Sequence, residues 1–315
     1  MKLHTNKEEF KALCAVTASA IGIPGEAVKR DYYIVMMLEK LSRSNYADKC
    51  VFKGGTSLSK CYPGTINRFS EDIDLTYIPD DELSNKRYSK ELKKVEAIMS
   101  EDAYIQKIAE ERNDRNKSSY VWFEEGSQEN TKIKLEIGSS IKPEPYSRRT
   151  LKAYIHEYLE SKEMWGEVKE FEFLEVELNV LNIERTFLDK VMSVKRHAIC
   201  ETLTAKTRHI YDVVRLYEQE EIKEFLSDKD KLKDIIMKTK NTDSFYLEKR
   251  GISKEYDPTG AYAFEKWTNK FNDKEVRKNY ENLHKTLLYT DEAQSFGTAE
   301  KVFQQISDVF KAIGE

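Results

Sequence analysis

Two linked segments decide the fold: Val51-Phe52-Lys53-Gly54-Gly55-Thr56-Ser57-Leu58-Ser59-Lys60 and, after a short turn, Arg68-Phe69-Ser70-Glu71-Asp72-Ile73-Asp74-Leu75. The first reads as a strand end, a glycine pair and a helix start. Adjacent glycines let backbone N–H groups come close to a ligand, and a helix N-terminus favours an anion. Thr56 or Ser57 is the expected N-cap. The second segment reads as a strand over Ser70 to Tyr77. Alternate strand side chains share a face, so Asp72 and Asp74 point one way and Ile73 and Leu75 the other. Two carboxylates beside a phosphate-cradling loop suit Mg2+ bridged to a nucleoside triphosphate. Either half alone is weak, because Gly-Gly is usually only a turn and Asp-x-Asp is common on solvated strands.

Together, in this order, the segments resemble the DNA-polymerase-β-like nucleotidyltransferases, whose signature is Gly-Gly-Ser or Gly-Gly-Thr followed by Asp-x-Asp. Lys53 to Lys60 followed by Arg68 to Leu75 is similar to the AbiEii/AbiGii toxin family of bacterial abortive-infection and toxin–antitoxin nucleotidyltransferases. The 15-residue spacer between Thr56 and Asp72 is longer than in minimal nucleotidyltransferases and fits this branch. The resemblance implies an α+β, polymerase-β-like core, a small mixed sheet with flanking helices, followed by a mostly helical C-terminal domain.

Composition bounds the rest. The chain has 315 residues, 39% of them hydrophobic, enough for one large domain or two. Charged residues make up 34% and the net charge is −4, so a nucleic-acid partner needs a local basic patch. Candidates are Lys142 to Lys152, with Arg148 and Arg149, and Lys190 to Arg208, with Lys195, Arg196 and Lys206; the plainer reading of both is solvated faces. Cys14, Cys50, Cys61 and Cys200 form no metal-binding spacing and read as thiols of a reducing compartment. The five histidines are scattered. No apolar leader and no run of membrane-spanning length is present, so the expectation is a cytoplasmic protein without a membrane partner.

Along the chain, Lys7 to Ala20 reads as a helix capped by Asn6 or Thr5, with Phe10, Leu13, Val16 and Ala20 on one side. Ala27 to Ser42 is a second, with Ile34, Met37, Leu38 and Leu41 as its stripe. Leu83 to Ser100 reads as an amphipathic helix rich in Lys and Glu, a solvated cover, and Glu101 to Lys117 as helix or loop. Ser119 to Glu125 and Lys132 to Gly138 read as strands. In the latter Lys134 and Glu136 share the face opposite Ile133, Leu135 and Ile137, which makes Glu136 a candidate third carboxylate; an ordinary alternating surface strand is the alternative. Pro143 to Pro145 reads as loop, Leu151 to Lys162 as helix, and Phe171 to Leu181 as strand. The core boundary is expected near Lys162, giving domains 1–162 and 163–315. Helices dominate beyond about residue 182, with breaks at Gly251 and Asp257 to Gly260. Tyr246, Tyr256, Tyr262, Phe264 and Trp267 read as core, with a stacking surface for single-stranded RNA as the sharper alternative.

The resemblance also extends to Glu184 to Lys190 and Arg208 to Asp212, and implies functional roles for Lys190 and Asp212. The sequence departs from the family in having His209 where that segment often has Asp. A lysine is a point charge able to neutralise a triphosphate, and Asp212 is suited to hold it; a surface ion pair is the bland reading. Taken together, the expected site is Lys53, Gly54, Gly55, Thr56, Ser57, Arg68 and Ser70 for the nucleotide, Asp72, Asp74 and Glu136 for Mg2+ or Mn2+, and Lys190 with Asp212 for charge neutralisation. The reaction this implies is nucleotidyl transfer from an NTP with release of pyrophosphate, by a toxin opposed by a separate antitoxin, onto an RNA such as a tRNA 3′ end. Transfer to a protein hydroxyl, kinase-like phosphoryl transfer onto Ser70, and a non-catalytic nucleotide-binding module stay open as alternatives.

Overall fold

The computed structural model describes residues 1–140, 142–248, 256–286, 288 and 294–315. The chain forms two compact units. One comprises Met1–Cys61 and Phe69–Leu181, the other Tyr62–Arg68 and Asn182–Glu315. The division after Leu181, rather than near Lys162, follows from strand pairing. The strand ending at Leu181 is bonded into the first unit's sheet.

The first unit contains helices α1 (Lys7–Ile21), α2 (Gly25–Ser42), α3 (Gly54–Cys61), α4 (Asn85–Met99), α5 (Gln128–Thr131), α6 (Tyr154–Ser161) and α7 (Trp165–Glu170). Its strands are β1 (Cys50–Lys53), β2 (Asp72–Tyr77), β3 (Tyr104–Lys107), β4 (Asn116–Trp122), β5 (Ile133–Gly138), β6 (Tyr146–Leu151) and β7 (Val176–Leu181). They form one mixed sheet in the order β3-β4-β5-β2-β1-β7-β6. The β2–β5 and β1–β7 pairs are parallel and the others antiparallel. The expected α+β core with a small mixed sheet is therefore present.

Asn6 caps α1 by accepting the Glu9 N–H at 3.2 Å, and Gly22 ends the helix at φ +71°. The buried face of α1 is Phe10, Leu13, Cys14, Thr17 and Ala18. Val16, expected inside, is 44% exposed, because a 3.6-residue period continues from Leu13 to Thr17 and not to Val16. Helix α2 runs through the core with Ile34, Met37, Leu38 and Leu41 at no more than 1% exposure. Helix α4 is more than a solvated cover, since Tyr88, Leu92, Val95 and Met99 are buried.

Two strands escape the sequence reading. β3 lies where helix or loop is expected; it is a sheet edge exposed along its whole length, so it shows no apolar alternation. β6, at the opposite edge, occupies part of the candidate basic patch Lys142 to Lys152, and its Tyr-Ser-Arg-Arg-Thr-Leu sequence is held by backbone pairing to β7. β7 itself is shorter than expected, because Phe171 and Phe173 lie in the turn that follows α7.

The second unit is helical: α8 (Ile183–Ile199), α9 (Thr207–Tyr217), α10 (Glu220–Ser227), α11 (Lys229–Glu248), α12 (Thr268–Phe271), α13 (Lys274–Thr286) and α14 (Phe296–Ala312). Its core is aromatic. Tyr262, Phe264, Trp267, Phe271, Phe303 and Phe310 are each at most 2% exposed and meet edge to face or tilted. Tyr256 is also buried. These rings are core, which removes them as a stacking platform for RNA. The Tyr246 side chain and the expected break at Gly251 lie outside the described residues. The turn at Asp257 to Gly260 is present, with Asp257 accepting the Thr259 N–H at 2.9 Å.

Candidate active site

The central strands place the acidic residues by register. β2 and β5 run parallel with Asp72 opposite Lys134 and Asp74 opposite Glu136. Directly paired residues on neighbouring strands point to the same face. Asp72, Asp74, Lys134 and Glu136 therefore share one side of the sheet. On the other side Ile73, Leu75, Ile133, Leu135 and Ile137 are at most 1% exposed. Burying that apolar face fixes the register, because a slip of one residue would invert it. Lys53, opposite Asp74 on β1, and Ser118, opposite Glu136 on β4, extend the same row.

The chain passes from β1 directly into α3 at Gly54. Gly54 has φ +88°, and a Cβ there would lie 2.2 Å from Asp74 Oδ2. Both facts require glycine. The start of α3 is thus packed against the Asp74 carboxylate with no side chain between them. The expected capping by Thr56 or Ser57 is not what these residues do, since the helix already begins at Gly54. Ser57 Oγ donates back to the Gly54 carbonyl at 3.0 Å. Thr56 Oγ1 donates to the Asp72 carbonyl at 2.5 Å and lies 3.0 Å from Ser70 Oγ. Thr56 is 1% exposed, so its hydroxyl is a buried clamp between the glycine turn and the carboxylate strand. Lys53, Gly54, Gly55, Thr56, Ser57, Ser70, Asp72, Asp74 and Glu136 all belong to the first unit.

Among the described residues, no three His, Cys, Asp or Glu side chains form a ready metal cage. Glu136 is engaged by Lys134, whose Nζ lies 2.5 Å from Glu136 Oε1 and 2.8 Å from Glu111 Oε2. Despite partial burial, these two partners raise the Lys134 pKa above the ordinary lysine range. The donor chemistry at Asp72 and Asp74 nonetheless fits a hard divalent cation, and the missing Cβ at Gly54 lets the Asp74 oxygen sit against the start of α3.

Arg68, Lys190 and Asp212 lie in the second unit. Asp212 is fully buried. Arg68 donates to it from Nε at 2.6 Å and from Nη2 at 2.7 Å. Lys190 Nζ lies 2.8 Å from Asp212 Oδ2. This is an internal cluster and not the surface pair of the bland reading. Burial pushes the Asp212 carboxyl up, but the Arg68 and Lys190 charges more than offset it and hold the carboxyl well below its usual range. Two of the Arg68 donors, Nε and Nη2, bond Asp212 here. His209 is half-buried, with Nδ1 3.0 Å from Ser193 Oγ. Desolvation, then the Lys190 charge, keep its imidazole well below the ordinary histidine pKa. Lys195, one of the expected surface cations, is 5% exposed and lies 2.7 Å from the Ala261 carbonyl. Burial, then Lys240, lower its pKa to about 8.

A further pair was not singled out from sequence. Asp31 on α2 and Lys60 on α3 are 3% and 6% exposed and form an ion pair at 2.8 Å. Asp31 Oδ2 also accepts the Tyr154 N–H at 2.7 Å, and Lys60 Nζ lies 3.8 Å from the Tyr154 ring centroid. The sequence signal was present, a charge at the inward side of each helix stripe, but periodicity alone does not pair charges 29 positions apart.

A glycine-led helix opening against carboxylates at alternate strand positions, on a mixed sheet, is the arrangement of a nucleotidyltransferase. Over residues 36–305 the sequence matches the family described as nucleotidyl transferase AbiEii toxin, type IV toxin–antitoxin system, and the chain belongs to that family. Among solved structures, it is similar to MenT4, a nucleotidyltransferase toxin of Mycobacterium tuberculosis, at 17% identity and TM-score 0.47, over 95% of this chain and 98% of that one. It is also similar to JHP933 of Helicobacter pylori at 17% identity and TM-score 0.38, over 83% and 95% of the respective chains. No curated protein matches the sequence. No helix among the described residues is long and apolar enough to cross a membrane.

Proposed function

We propose that this toxin transfers a nucleotidyl group from an NTP to the 3′ end of an RNA, with a tRNA as the first candidate, and that a cognate antitoxin opposes it. The carrying observation is the contact at Gly54, where the N-terminus of α3 abuts the Asp74 carboxylate with no intervening side chain. A triphosphate on the α3 N–H groups then lies beside the carboxylates that hold its counter-cation. In the transfer, the acceptor hydroxyl oxygen bonds to the α-phosphorus and the bond to the β-phosphate bridging oxygen breaks, releasing pyrophosphate. Asp72 and Asp74 are the proposed holders of Mg2+ or Mn2+, with Glu136 as the third carboxylate. When bound, the cation neutralises charge on the attacking and leaving oxygens. Thr56 fixes the distance between helix and strand through the Asp72 carbonyl. Lys190 and Asp212 carry over from the family resemblance as residues whose replacement lowers transfer.

The test is transfer of label from each α-labelled NTP, with Mg2+, into total RNA, with Asp72→Ala and Asp74→Ala as controls. A discrete labelled RNA band from one NTP, reduced at least about a hundredfold in both variants, is expected. Equal labelling by Asp72→Ala overturns the reading. One observation favours a second reading: Ser70 Oγ lies 3.0 Å from Thr56 Oγ1, beside the glycine-led helix, which makes its hydroxyl a candidate phosphoryl acceptor. Label retained on the protein from γ- but not α-labelled NTP, and lost in Ser70→Ala, would select it.

A further inference from the structure

Lys134 is a cation on the carboxylate face to which the proposed chemistry gives no task. It stands on β5 opposite Asp72, two residues before Glu136, which itself stands opposite Asp74. Its ammonium is held by Glu136 at 2.5 Å and by both Glu111 oxygens, at 2.8 and 3.1 Å. Glu111 comes from the turn that precedes β4, so the ammonium is gripped from two elements. A divalent cation bound by Asp72, Asp74 and Glu136 needs the Glu136 oxygens that Lys134 holds. We propose that Lys134 is a tethered counter-cation that competes with the metal for Glu136, so that Glu136 joins the site only when the ammonium is drawn away.

This inference rests on the cation-binding reading of Asp72 and Asp74. It assigns Lys134 a positioning role: it acts through Glu136 and not on the reacting atoms. An anionic triphosphate is suited to attract the released ammonium, which would couple nucleotide arrival to completion of the metal site. The ion pairs are partly exposed, so the competition is modest; removing Lys134 is worth about three- to tenfold in metal affinity.

The experiment measures free Mn2+ by electron paramagnetic resonance during titration of the full chain without nucleotide. Wild type is compared with Lys134→Met, Lys134→Met/Glu136→Gln, Asp72→Ala and, as a charge control, Lys132→Met. Lys132 pairs with Glu129 and has no contact with Glu136 among its hydrogen bonds and ion pairs. Lys134→Met should bind Mn2+ about three- to tenfold more tightly, the added Glu136→Gln should erase the gain, and Lys132→Met should leave affinity unchanged. Unchanged or weaker binding by Lys134→Met overturns the proposal, as does an equal gain in Lys132→Met or in the double variant. If Asp72→Ala loses Mn2+ while Lys134→Met matches wild type, only this inference falls. If Asp72→Ala binds as wild type does, the cation lies elsewhere and the metal reading falls with it.

Discussion

At the scale of single residues, Gly54 shows how a motif letter becomes a geometric demand. An added methyl group there meets the Asp74 carboxylate at 2.2 Å, and the backbone sits at φ +88°. Gly54→Ala should therefore combine a backbone strain of about 1–3 kcal/mol with displacement of Asp74. Gly22 makes the comparison clean: it has φ +71° but open space around its would-be Cβ. Gly22→Ala should cost similar stability in urea unfolding and leave nucleotidyl transfer intact, whereas Gly54→Ala should lose about a hundredfold or more in transfer. Equal activity in the two variants would show that the Gly54–Asp74 contact does not matter. The need for glycine, and the shared face of Asp72 and Asp74, were legible in the sequence because both follow from local backbone rules. The role of Thr56 was not: its hydroxyl bonds to a carbonyl 16 residues away, and no local pattern encodes that.

At the scale of elements, the glycine-led helix is anchored at its far end by a buried charge. Lys60 on α3 meets Asp31 on α2, and the Tyr154 N–H at the start of α6 completes the carboxylate's bonding. Burial pushes the Asp31 carboxyl up, against the lowering effect of Lys60 and the Tyr154 N–H. Lys60→Met strands that carboxylate and should cost about 3–5 kcal/mol, while Lys60→Met with Asp31→Asn should recover much of the loss. A double-mutant cycle by urea denaturation checks this; additive losses would mean the pair is not coupled. The helices α1, α2 and α4 and the strands β2 and β5 were readable because one face of each is apolar and the period shows it. The edge strands β3 and β6 were not. An edge buries little and is held by main-chain bonds to a partner that the local sequence does not name.

At the scale of the whole molecule, the chain leaves the first unit after Cys61, contributes Tyr62–Arg68 to the second, and returns at Phe69. Such an excursion has no sequence signature, which is why a single boundary near Lys162 was the natural reading. Its last residue, Arg68, meets Asp212 across 144 positions, and Lys190 completes the cluster. The cluster makes stability depend on acid with a definite sign. The Asp212 carboxyl is depressed in the folded state, so its contribution is complete above the unfolded value of about 4 and is lost as pH falls toward the folded one. The His209 imidazole is also depressed, so its neutral form favours folding above about 6.5 and that contribution declines below it. Stability of the second unit should thus fall with acid in two windows, the first beginning near pH 6.5 and the second near pH 4. His209→Gln should remove the first slope. Asp212→Asn should flatten the second while costing about 3–5 kcal/mol at neutral pH, because the Arg68 and Lys190 charges then stay buried without their counter-ion. Trp267, in the second unit's core, reports this transition by fluorescence once Trp122 and Trp165 are replaced by Phe. A wild-type profile flat from pH 7 to pH 3 would mean that the cluster does not hold its charges as the geometry requires.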